Sequence, residues 1–158
     1  MIEQNNNLII NKNSSHYGAS FSVLAGGSIA LSEISVIPLE CAQNYFELIT
    51  NVNLLSAIKT VSANASQCCF YNRLNVPERL RGQGIGKALL HKTLEYCAEN
   101  NILLINTANS YGDMDQNNLI KFYQENGMTL IHKEGLLAYH KDLELGLKNN
   151  KSNKSRVK

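Results

Sequence analysis

The chain has 158 residues and a mass of 17.6 kDa, with 44% hydrophobic residues, 18% charged residues and a formal net charge of +2. Such a length fits one domain with a packed core, and no apolar run approaches the roughly 18 residues of a membrane-spanning helix. The last eleven residues carry Lys148, Lys151, Lys154, Arg156 and Lys158 with no acid, which leaves 10 basic against 13 acidic residues elsewhere, so charge gives no support to a nucleic-acid-binding body.

Residues 1–15 are rich in Asn and Ser around one apolar run, Leu8-Ile9-Ile10, which predicts a short edge strand. Phe21–Ala25 and Ser28–Leu31 flank Gly26-Gly27, and a Gly-Gly pair between such runs predicts a hairpin. From Pro38 to about Lys59, Leu39, Ala42, Phe46, Ile49, Leu54 and Ile58 fall on one face, which predicts a long helix, with 62–66 as a loop. Cys68 to Val76 reads as a strand ending at Pro77, with Cys68, Phe70, Leu74 and Val76 on one face and Asn72 as the exception. Gly84–Asn100 is the clearest helix, with Ile85, Leu89, Leu90, Leu94, Cys97 and Ala98 in one stripe. Ile102-Leu103-Leu104-Ile105 predicts a central buried strand, 106–116 a loop, and Asn117–Asn126 a helix ended by Gly127. Met128–His132 and Leu136–His140 read as two further strands. The alternation of strands and helices implies α/β with a mixed sheet.

The informative segment runs from Leu74 to Leu90, where a strand enters a glycine-rich turn that opens a helix. The first turn of a helix has unpaired N–H groups and the positive end of the dipole, and glycines let the backbone approach an anion. Together these features make a phosphate cradle, with Arg81 and Lys87 adding positive charge on either side. A Walker A loop does not fit, because Arg81 stands where its first glycine belongs and Ala88 where its hydroxyl belongs. A dinucleotide fingerprint does not fit either, because the spacing is GxGxG and no acid follows about 20 residues on. The plain alternative is a tight turn without a ligand. Three glycines in five residues between two cations weigh against it.

Arg81-Gly82-Gln83-Gly84-Ile85-Gly86 resembles the R/Q-x-x-G-x-G/A signature of the GNAT superfamily of acyl-CoA-dependent N-acetyltransferases, and Leu74-x-Val76 with Pro77 resembles its lead-in. Phe122-Tyr123-Gln124-Glu125-Asn126-Gly127-Met128 resembles the second motif, commonly Y-E-K-x-G-F. The resemblance covers about residues 67–141. It implies a mostly antiparallel central sheet flanked by helices and splayed at its two central strands, where the strand ending at Val76 leaves its neighbour after Ile105. It also implies acetyl-CoA as cosubstrate without a metal, and a primary amine as acceptor. Main-chain N–H groups from Gln83 through Gly84, Ile85 and Gly86 to Lys87, beside Arg81 and Gly82, would hold the pyrophosphate. The pantetheine arm would bond main-chain groups near Leu74 and Val76. Asn117 lies one residue from the position where the family often has an Asn facing that arm. Tyr123 takes the place of the family's tyrosine beside the coenzyme sulfur, where a phenol with a pKa of ~10 acts as general acid.

Two departures from the family pattern stand out. Residues 67–77 contain no Asp or Glu, so a carboxylate base on that strand is absent; Glu33 is expected to be solvated or salt-bridged, and a water chain or an already deprotonated amine is the default. The hairpin also precedes the helical region, whereas the family usually has strand, helices and then hairpin. Either the reading of 17–66 is wrong or the chain is rearranged.

The four cysteines, Cys41, Cys68, Cys69 and Cys97, and the four histidines form no metal-ligand spacing. Reduced thiols, and an N-terminus without the basic and apolar regions of a secretory signal, give the expectation of a cytoplasmic protein. Residues 1–145 are expected to form one domain and 146–158 a disordered basic tail. A homodimer, as is common in the superfamily, and a contact of the tail with nucleic acid are further expectations. A non-catalytic acyl-CoA-binding module of the same fold, and an acetylating effector or toxin acting on a macromolecule, are the competing readings.

Overall fold

Seven strands form one sheet in the order β1-β2-β3-β4-β5-β7-β6. The computed structural model describes residues 8–108 and 115–147; of the tail expected over 146–158, Gly146 bonds back to Asp142 O and Leu147 packs on the core, and 148 onward lies outside the described residues. In chain order the elements are β1 (Asn11–Ser15), β2 (Gly18–Ala25), β3 (Ser28–Ile37), α1 (Leu39–Phe46), α2 (Val52–Asn64), β4 (Gln67–Asn75), α3 (Ile85–Glu99), β5 (Ile102–Thr107), α4 (Gln116–Glu125), β6 (Thr129–His132) and β7 (Leu136–Tyr139). All strand pairs are antiparallel except β4 with β5, which α3 joins as a parallel crossover.

The hairpin expected at Gly26-Gly27 is present, with φ of 55° and 79° at the two glycines, the positive values a tight two-residue turn needs. The edge strand lies beyond the run that predicted it. Asn11–Ser15 pair with β2, while Leu8 and Ile10 precede the strand and pack on the core. The single helix expected over 38–59 is two. The chain leaves helix at 47–51, and Asn51 restarts it with a side chain that accepts from Leu54 N at 3.0 Å. The second helix runs on to Asn64, so most of 62–66 is helical and not a loop.

Two cores cover the two faces of the sheet. One packs α3 and α4 on Phe21, Ile34, Cys69, Tyr71, Ile102, Leu104 and Leu137. The other packs α1 and α2 on Cys68, Leu103, Ile105, Leu136 and Ala138. β5 therefore divides its residues between the two cores, which is why its sequence is uninterrupted in apolar character. The chain order is indeed hairpin, helix pair, then β4, so the order that the family resemblance implied is altered in this half.

Candidate active site

β4 and β5 pair only over Gln67–Phe70 and Ile102–Ile105. Beyond Phe70, β4 keeps β3 on one side but no longer bonds β5 on the other, while β5 continues along β7 through Asn106 and Thr107. The sheet opens there into a gap. On that side of β4, alternate main-chain groups have no strand partner among the described residues, an arrangement that suits an extended ligand bonding to the backbone. Leu74 and Val76 lie on this splayed end of the chain, both half-buried.

A β-bulge sits at the start of the gap. Glu33 pairs Arg73 and Ile34 pairs Tyr71, so Asn72 is the extra residue. The bulge shifts the side-chain phase. Cys69, Tyr71, Leu74 and Val76 pack on the α3 side, whereas Cys68 and Phe70 belong with α1 and α2. The even-numbered face expected from the sequence is therefore not one face. Asn72, the exception in that alternation, is where the phase changes.

At the far end of β4 a single 3₁₀ turn, Glu78–Leu80, leads into the glycines. Gly82 and Gly84 both have φ of 79°, a left-handed conformation that a side chain disfavours, and Gly84 caps α3. The first N–H to bond back into the helix is that of Ala88, to Gly84 O at 3.0 Å. Those of Gly82, Gln83, Gly84, Ile85, Gly86 and Lys87 make no backbone hydrogen bond among the described residues. Six consecutive amides at a helix N-terminus, with the exposed Lys87 beside them, are donors of the kind a phosphate cradle needs. Arg81 has a structural duty as well: its Nε donates to Val76 O at 3.0 Å and holds the strand end against the turn.

Tyr123, on α4, comes to the other side of the gap. It is 6% exposed, its ring lies 6.2 Å from that of Tyr71 and 5.4 Å from that of Phe122. Burial raises its pKa above the ordinary value, and a side-chain hydrogen bond from Asn106 offsets part of that rise. Asn106 is 4% exposed and follows the last β5 residue paired with β4. The apolar run stops at Ile105, so the sequence predicts a loop from Asn106. Pairing with Leu137 of β7 carries the strand on.

Tyr71 is held in a different way. Thr93 Oγ1 donates to Leu89 O at 2.8 Å, so it must accept from Ser32 Oγ at 2.6 Å, and Ser32 in turn must accept from the Tyr71 hydroxyl. The one proton of Tyr71 is consumed in this buried chain. Asn117 is exposed on the first turn of α4, away from these groups. Gln116, one residue earlier, turns inward, and its Nε2 donates to Ala108 O at 3.0 Å and to Glu134 O at 2.8 Å. Glu33 is salt-bridged, as expected, with Oε1 3.7 Å from Arg73 Nε. Among the described residues no group of three His, Cys, Asp or Glu side chains is arranged to hold a metal, and no helix is long and apolar enough to cross a membrane.

The model of a family described as "Acetyltransferase (GNAT) family" matches residues 42–128, a stretch from α1 to the residue before β6 that contains the glycine turn, the gap and Tyr123. No curated protein and no solved structure matches the chain.

Proposed function

Because this chain belongs to the GNAT acetyltransferase family, we propose that it transfers an acetyl group from acetyl-CoA directly to a primary amine within a ternary complex. The observation that carries this reading is the pairing of an amide-lined glycine turn with a sheet gap at whose start Tyr123 is buried against Tyr71. Acetyl-CoA fits these residues on its own chemistry. A pyrophosphate suits six unpaired amides beside a lysine, and the amide-bearing pantetheine suits the unpaired edge of β4. When bound, it supplies a thioester whose carbonyl carbon accepts the amine and whose sulfur leaves.

The residues of this chain then have separable tasks. The amides from Gln83 to Lys87 bind the pyrophosphate, and Gly82 and Gly84 give the turn the backbone it needs. Main-chain groups near Leu74 and Val76 orient the arm, and an N–H directed at the carbonyl oxygen polarises it. The C–N bond forms as the C–S bond breaks. Tyr123 gives its hydroxyl proton to the departing sulfur and regains one from the water that takes the amine's proton, and Asn106, whose side chain lowers the Tyr123 pKa, steadies the phenolate in between. The proton of the amine leaves to water, since β4 carries no carboxylate and Glu33 is engaged by Arg73.

Calorimetric titration of acetyl-CoA into the wild type and a Gly86→Glu variant tests the binding half. Gly86 does not have a positive φ, and a Cβ there meets only Val76 Cγ2, at an ordinary 3.4 Å. A carboxylate in the first turn is compatible with the helix but repels a pyrophosphate. The expected result is wild-type binding with a loss of more than about tenfold in the variant, at an unchanged circular dichroism spectrum. No binding to the wild type, or equal binding to both, overturns the reading.

A further inference from the structure

On the α1 side of β4, across the strand from Tyr71 and Tyr123, lies a cleft of about 470 Å³ lined by Ile37, Cys41, Asn44, Tyr45, Phe70 and Asn72. It starts where the sheet opens, since Phe70 is the last β4 residue paired with β5 and Asn72 is the bulge residue. The volume suits a small molecule. An acceptor seated here lies on the face of the sheet that Tyr71 and Tyr123 leave free, beside the start of the gap.

The lining restricts what the acceptor is. Tyr45 and Phe70 present two rings 6.2 Å apart and tilted by 31°, and Ile37 extends the apolar wall. The polar members are the amides of Asn44 and Asn72 and the thiol of Cys41, and none of the described lining residues is charged. Glu33 borders the cleft through Asn72 and is paired with Arg73. Asn72 Nδ2 is held by Ser35 Oγ and by Glu33 Oε1, which leaves Asn72 Oδ1 to accept from an amine N–H. A polycation would bring several ammonium groups to a wall whose neighbouring carboxylate, Glu33, is already shared by Arg73 and Asn72, and a phosphate-bearing acceptor would meet no cation among the described lining residues. A single amine on a flat apolar body loses no such pairing and gains ring contacts. Resting on the acetyltransferase reading above, we infer that this cleft takes a small primary monoamine with an aromatic body, an arylalkylamine, in preference to polyamines and aminosugars.

The test measures thiol release from acetyl-CoA with 2-phenylethylamine, spermidine and glucosamine, alongside acetyl-CoA calorimetry on the same preparations. The expected kcat/KM for 2-phenylethylamine exceeds the other two by at least about tenfold. Tyr45→Ala is expected to raise KM for 2-phenylethylamine about tenfold with acetyl-CoA affinity unchanged. Tyr45 is half-buried while Ala42 and Phe46 hold α1 to the core, so the helix keeps its seat. The exposed Asn44 permits a second variant, Asn44→Asp, in which the new carboxylate should raise kcat/KM for spermidine. Equal or better turnover of spermidine or glucosamine by the wild type, no turnover of 2-phenylethylamine, or no response to either variant overturns the inference. Each of these results leaves acetyl-CoA binding measurable. Failure of that binding marks the loss of the underlying reading instead.

Discussion

Two tyrosine rings meet at the mouth of the gap, and the hydrogen bonds around them separate their chemistry. Tyr71 spends its proton on Ser32, which passes the chain to Thr93 and Leu89 O, so its role is to tie β3, β4 and α3 together. Tyr123 is not bound into such a chain, and burial keeps it protonated. Tyr123→Phe should lower kcat by about 10²-fold or more with little change in KM for acetyl-CoA. Tyr71→Phe should instead show itself as a stability loss of about 1 kcal/mol in denaturant titration. Because the Tyr123 pKa is raised from an ordinary value of about 10, the rate should rise with pH as the amine deprotonates, with no Tyr123-dependent decline below about pH 10. The cysteines are unsuited to carry the acyl group. Burial pushes the thiol of Cys69 up to about 12 and raises that of Cys68, so neither is a thiolate near neutral pH.

At the scale of elements, the junction between α2, β5 and β7 depends on two side chains. Asp142 N donates to His140 Nδ1 at 3.1 Å, so the neutral ring carries its proton on Nε2 and donates to Asn101 Oδ1 at 2.7 Å. Asn101 adopts φ of 54° in the turn between α3 and β5, and its Nδ2 donates to Asn64 O at 2.8 Å, tying that turn to the end of α2. Burial lowers the pKa of His140 below its ordinary 6.5. The unfolded chain therefore binds this proton more readily than the native one. The contribution is fully present above pH 6.5 and is lost as pH falls through the lower native value. Urea midpoints at about pH 8 and about pH 5.5 should show the wild type losing more stability on acidification than His140→Gln. An equal loss in both would remove His140 from the account.

Across the whole molecule, the two cores share β5 as their common wall. Leu103 is fully buried among Ile58, Ile105 and Leu136 side chains of the α1/α2 core, on the face opposite Leu104. Leu103→Ala should cost about 2–5 kcal/mol by chemical denaturation, because a strand covered on both faces has little room to collapse around the cavity. The placement of α1 and α2 between β3 and β4 has a functional consequence. The chain leaves β3 at Ile37, crosses the face of the sheet, and lays Tyr45 against Phe70 beside the gap. The covering that completes this core thus also supplies one wall of the cleft.

Local chemistry was readable from the residues alone. The glycine turn, the capped helix after it and the buried run Ile102–Ile105 follow from backbone freedom, unpaired amides and uninterrupted apolar character, all properties of neighbours in sequence. Tyr123 was legible only through its place in a motif. The break between α1 and α2 also had a local signal, the capping Asn51, which the apolar periodicity masked. Other features had none that a single segment carries. The bulge at Asn72 exists because β3 and β4 pair with a shift, and Asn106 belongs to a strand because β7 pairs beside it. The direction of the Tyr71 proton depends on Ser32 and Thr93, which lie far away along the chain. Tertiary structure alone decided these points, because each depends on which distant backbone or hydroxyl lies opposite, a relation that does not repeat with the period of a helix or a strand.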